Sequence, residues 1–103
     1  MSSFASLDSV TVSGTGTDQR LARATARHTM IVTVGGTPTE CAVVLQGSHD
    51  GYTWTDIGNV QSTSGGLVNT GADGALVSHV RADLRTLTGA ATVTASIASD
   101  DGT

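Results

Sequence analysis

Apolar and polar residues alternate along much of this sequence, most clearly near its C-terminus. The apolar members there are Ala91, Val93, Ala95 and Ile97, and each intervening residue is Thr or Ser. Because successive side chains of a β-strand point to opposite faces, a period of two predicts a strand with one buried face. Residues 76–84 repeat the pattern, with Arg81 and Asp83 facing away from the apolar side.

The same reading along the chain predicts several short strands. They are placed at about residues 8–13, 28–34, 40–47, 52–57, 76–84 and 91–97, separated by Gly-rich or Pro-containing turns. The 17 Thr and 11 Val residues support strands, because branched side chains suit a pleated sheet. The fold class is predicted to be all-β, an antiparallel β-sandwich of jelly-roll or Ig-like type with about six to eight short strands.

Length and composition predict one domain over residues 1–103, with extended termini. Leu, Ile, Val and Phe contribute only 22 residues, so the core should be thin and assembly with partners should help stability. Five Arg, no Lys and nine acidic residues give a net charge of −4, which argues against nucleic-acid binding. With no basic leader and no long apolar run, no signal peptide or membrane span is predicted, and synthesis in a cytoplasm is expected.

Three segments are less regular. Residues 20–28 fit a helix with three arginines on one face, or an extended strand, which we favour. The stretch 58–74 holds five Gly and is predicted to be a long surface loop. The acidic end, residues 100–103, is expected to fray, with contact to a basic surface of a partner as the alternative.

The most informative run is Gly47–Trp54. Its Asp50-Gly51 pair predicts a tight hairpin, since such pairs adopt the positive φ angles that short turns need. Tyr52 and Trp54 follow in phase and are expected to be core anchors, because the chain has only three aromatic residues. The alternative is that their rings form a stacking platform for a sugar.

No catalytic, cofactor or metal site is predicted. Cys41 lies in phase with apolar strand residues and is interpreted as a buried structural thiol. The three histidines, at positions 28, 49 and 79, lack the paired spacing of a zinc site. The aspartates lie in or beside turn signals, where they have a local structural use. The chain is therefore expected not to be an enzyme.

The segments Arg27–Val34, Val44–Trp54 and His79–Gly89 together resemble small β-sandwich structural proteins of tailed bacteriophages. The resemblance spans about residues 10–98. It rests on a GSxDGxxW hairpin and a VRAxLxxLTG strand and turn, which occur in the expected order. Similar sequence motifs also occur in discoidin-like and carbohydrate-binding sandwiches, so the resemblance identifies the architecture more specifically than the role.

What the resemblance implies is a non-enzymatic virion protein, first of all a head decoration protein that stabilises the capsid shell. The alternatives are a tail or fibre module, or a carbohydrate-binding sandwich on the virion surface. The implied partners are the major capsid protein and copies of the chain itself, for example in a trimer, with a surface glycan as a further candidate. Residues 14–20 and 58–75 are the expected contact loops. The candidate contact residues are Arg20, Arg23, Arg27, Arg81 and Arg85.

Overall fold

The computed structural model describes residues 2–102, and that range contains seven β-strands and no helix. The strands are β1 (Ser2–Val10), β2 (Gly14–Thr15), β3 (Gln19–Thr25), β4 (His28–Ser48), β5 (Thr55–Gln61), β6 (Gly66–Thr70) and β7 (Val77–Ser99). Every strand pairing is antiparallel. The predicted all-β, antiparallel sandwich class is confirmed.

Two long strands, β4 and β7, form a ribbon that organises the fold. They pair from His28 opposite Ser99 to Ser48 opposite His79. At about 3.3 Å per residue such a ribbon would be roughly 70 Å long if straight. The longest dimension of the molecule is 38 Å, so the ribbon folds over on itself. Gly36 and Gly89, with φ angles of 89° and 99°, lie where it bends, and the register shifts just beyond Pro38.

The bend divides the ribbon into two halves, each completed by its own neighbouring strands. One half carries β1 beside β7 and β6 beside β4, and the other carries β2 and β3 beside β7 and β5 beside β4. We call these the first and second layers. Met30 and Ile97 of the first layer belong to the same buried cluster as Leu45 and Leu84 of the second. One hydrophobic core therefore lies between the layers.

The predicted strand boundaries need correction. The strands expected at 28–34 and 40–47 are one strand, and those expected at 76–84 and 91–97 are another. The Gly-Gly-Thr-Pro signal at 35–38 bends the ribbon without ending it, because the ladder continues through Pro38 opposite Gly89. The predicted loop at 58–74 contains the end of β5 and all of β6. For residues 20–28, the strand interpretation is confirmed over 20–25 by β3, whereas 26 and 27 form a turn and His28 begins β4.

The acidic end of the chain is held in place up to the last described residues, so the expected fraying is wrong there. Asp101 is buried and accepts hydrogen bonds from the Ser2 hydroxyl at 2.8 Å and from the Ala22 amide at 3.0 Å. A carboxylate that binds β1 and β3 joins the two layers at this end. The terminal residues Met1 and Thr103 of the predicted domain lie outside the described residues.

Candidate interaction surface

The loop between β4 and β5 is braced by one aspartate and one serine. Asp50 Oδ1 accepts hydrogen bonds from the Tyr52 and Thr53 amides at 2.8 and 2.9 Å and from the Ser48 hydroxyl at 2.9 Å. The Ser48 hydroxyl in turn accepts from the Asp50 and Gly51 amides. These bonds occupy amides that would otherwise face water, so the loop is held in one shape.

The loop confirms a hairpin at Asp50-Gly51, but a wider one than predicted. Six residues, 49–54, separate the two strands, and Gly51 alone among them has a positive φ, 81°. Asp50 therefore acts through its side chain and not through a left-handed backbone. The hydrogen bonds from Thr53, Tyr52 and Ser48 favour the ionised carboxylate and lower the pKa of Asp50 to about 2.

The two aromatic residues of this run are not core anchors, which corrects the prediction. Tyr52 lies at the loop tip and is 89% exposed. Trp54 is half-buried but stands outside the hydrophobic cluster, with the guanidinium of Arg81 4.2 Å from its ring centroid. The reason is that both precede β5, so the strand alternation that would direct them into the core does not apply.

A row of polar side chains crosses the outer face of the second layer from Trp54 to Asp83, and we call it the outer row. Arg81 Nε donates to Gln46 Oε1 at 2.8 Å, and Gln46 Nε2 donates to Asp56 Oδ1 at 3.0 Å. Arg85 binds Asp56 with both terminal nitrogens, at 2.7 and 2.6 Å, and Asp83 through Nε at 3.0 Å. The paired Arg85, and then Gln46, lower the pKa of Asp56.

Beside the outer row lies an open groove of about 510 Å³. Ala42, Val44 and Ile57 supply its apolar lining, and Asp56 and Arg85 supply charged groups. Val44 is buried yet lies outside the core cluster, as expected for an outward-facing position flanked by longer polar side chains. The groove and the row form a continuous surface of mixed polarity.

The five candidate arginines separate into two groups. Arg81 and Arg85 belong to the outer row, so their guanidinium groups already have partners within the chain. Arg20, Arg23 and Arg27 are exposed on β3 and the turn after it. Within residues 2–102, the ion pairs formed by side chains all involve Arg85, so these three arginines have no carboxylate partner there.

Outside the outer row, two side chains of potentially reactive type, His28 and Cys41, are buried inside the fold. His28 is buried, with Nδ1 2.8 Å from the Ser99 hydroxyl and Nε2 2.8 Å from the Thr25 carbonyl oxygen. Burial lowers the pKa of His28. Cys41 is buried as predicted, which raises the pKa of its thiol.

Over the described chain, no cluster of His, Cys, Asp or Glu is arranged to hold a metal ion. The same residues include no helix suited to crossing a membrane.

Sequence reasoning placed Asp83 on the outward face without assigning it a role, and it missed two members of the outer row, Gln46 and Asp56. The available signal was alternation: Arg81, Asp83 and Arg85 are spaced by two and share a face of β7. The pairing of β4 with both β5 and β7 brings Gln46 beside Asp56 and Arg81. That pairing joins residues far apart in the chain, so their hydrogen bonds were not visible in the sequence.

Comparison with known proteins shows that a solved structure has a similar fold. The structure is similar to the crystal structure of the SPBc2 prophage-derived protein YomS, with a TM-score of 0.65. The likeness covers 95% of this chain and 92% of that chain at 16% sequence identity. No protein-family model and no curated protein matches the sequence. The architecture is therefore one that another protein of similar length adopts with a largely different sequence.

Proposed function

We propose that the chain is a non-enzymatic structural protein of a bacteriophage particle, and specifically a head decoration protein that stabilises the capsid shell. The observation that carries the phage assignment is the likeness to a prophage-derived protein over nearly the whole length of both chains. The resemblance of segments 47–54 and 79–89 to phage structural proteins is consistent with this assignment. The turn expected at Leu87–Gly89 is wrong, because β7 continues through these residues.

The surface is consistent with binding. A braced loop presents Tyr52 to solvent, and three exposed arginines lie on or beside β3. Arginine is well suited to protein interfaces because its planar group binds carboxylates with two hydrogen bonds. The proposed partners are the major capsid protein and further copies of this chain, and the proposed location is the virion.

The proposed mechanism is thermodynamic. A protein that binds across the boundary between two shell subunits favours their assembled state by the free energy of its own binding. Stable contacts of this kind bury roughly 800 Å² on each partner. The total exposed surface of the chain is 5267 Å², so one such contact would take a substantial fraction of it. No catalytic group is needed for this role.

The decisive experiment is to count copies of the chain, by quantitative mass spectrometry, in purified particles of the phage that encodes it. Hundreds of copies, near stoichiometric with the shell protein, would support decoration. Roughly a dozen or fewer would indicate a tail or fibre position, where symmetric oligomers are small. Absence from the particle would refute every virion role.

A second candidate is carbohydrate binding, which the exposure of Tyr52 favours. The position of Arg81 over Trp54 argues against a platform made of two open rings. A glycan array with the wild-type chain and Tyr52→Ala tests it. Binding that the substitution abolishes would support this function, whereas no binding to any glycan would exclude it.

A further inference from the structure

Within residues 2–102, the arginines without a carboxylate partner lie close together in the sequence. Its net charge is −4, and two of its five arginines are committed to the outer row. The other three, Arg20, Arg23 and Arg27, lie within eight consecutive residues and are exposed. Exposed arginines grouped in this way favour approach by a partner of opposite charge.

Two of these arginines line a depression. It lies between the end of β3 and the segment before β7, and its volume is about 430 Å³. Arg23 and Arg27 contribute its cations, Asp100 contributes one carboxylate, and Leu76, 58% exposed, contributes the largest apolar side chain. We call this the Arg23–Arg27 depression. Arg20 does not line it.

The guanidinium of Arg23 lies beside the chain end. A side-chain carbon added at Gly102 would lie 3.0 Å from both Cζ and Nε of Arg23, so the guanidinium packs closely against this glycine. Gly102 has a φ of 84°, a conformation that glycine adopts readily.

We propose that the Arg23–Arg27 depression binds an acidic segment of a partner protein, with carboxylates on the two arginines and an apolar side chain against Leu76. Among the lining residues, two arginines against Asp100 leave one net positive charge, which favours an acidic partner. The neighbouring Asp101 carboxylate is buried and already accepts hydrogen bonds from Ser2 and Ala22. Leu76 and the neighbouring alanines favour a peptide over a nucleic acid, because a phosphate group bound to the arginines would bring no apolar side chain to cover them. If the proposed function holds, this segment belongs to the shell protein.

The test uses the full chain and a defined probe. A blocked Glu-Leu-Glu peptide is titrated into isotope-labelled protein, and NMR follows the amides of residues 23–27 and 76 and the side-chain Nε–H groups of the arginines. We expect saturable shifts confined to the depression and weakened by salt. Arg23→Gln with Arg27→Gln should lower the affinity roughly fivefold to tenfold, as loss of two exposed ion pairs implies.

The matched control is Arg20→Gln, which removes an exposed arginine of the same strand outside the depression and should leave affinity within about twofold. A Lys-Leu-Lys peptide should not bind. The proposal is overturned if no saturable shifts occur, if the basic peptide binds equally, if the double variant binds like the wild type, or if a short oligonucleotide binds more tightly. Since these measurements need no virion, absence of the chain from particles would refute the proposed function while leaving this result to stand or fall separately.

Discussion

Truncation of Leu84 to alanine should be one of the most destabilising single changes in this chain. Leu84 is fully buried, pairs with Val43 across the ribbon, and belongs to the cluster shared by both layers. Leucine to alanine in such a site costs about 3–5 kcal/mol, through lost burial and the cavity left behind. A chain of this length has a total stability of roughly 5–15 kcal/mol, so the variant should lose a large fraction of it.

Urea unfolding followed by far-UV circular dichroism and by Trp54 fluorescence measures this change. In a thermal melt of the same variant, a loss of about 3 kcal/mol should lower Tm by roughly 12–24 °C. The matched control is Leu67→Ala on β6, where the leucine is 56% exposed and truncation should cost less than about 0.5 kcal/mol. If the two variants differ by less than about 1 kcal/mol, a single core formed between the layers is the wrong description.

Three further predictions concern the loop, the buried histidine and the outer row. Asp50→Ala should accelerate amide exchange at Tyr52 and Thr53 several-fold, whereas Asp73→Ala should not; unchanged exchange would show that Asp50 does not brace the loop. Burial lowers the pKa of folded His28 below its usual 6.5, so the unfolded chain binds more protons and stability should fall as pH decreases through 6.5. Urea midpoints at pH 5 and 7.5 measure this, and His28→Gln should reduce the difference; an equal difference in the variant would assign it to other groups. Arg81→Ala should shift Trp54 emission to longer wavelength, because the indole loses a face contact, while Arg20→Ala should leave the spectrum unchanged.

Local pattern was sufficient to predict the class of fold and the composition of its inner faces. Val93, Ala95 and Ile97 are fully buried at alternate positions, as the period of two required. The turn at Asp50-Gly51 was also located correctly, because aspartate and glycine have strong local preferences whatever surrounds them. Cys41 was placed inside by the same alternation. Each of these predictions depends on residues within a few positions of one another.

Long-range pairing set the remaining features. Whether Gly35 to Pro38 ends a strand or bends it depends on the residues opposite, and β7 continues the ladder with Gly89 there. The positions of Tyr52 and Trp54 depend on where β5 begins, which its register with β4 fixes at Thr55.

The five candidate arginines show most clearly the difference between what local pattern predicts and what long-range strand pairing determines. Sequence alternation put Arg81 and Arg85 on an outward face, but their partners Gln46 and Asp56 come from other strands. Arg23 and Arg27 have no such partners within residues 2–102 and line a depression instead. Side-chain periodicity is a property of the local backbone, whereas hydrogen bonds and ion pairs depend on distances that arise only when strands remote in the chain are brought together.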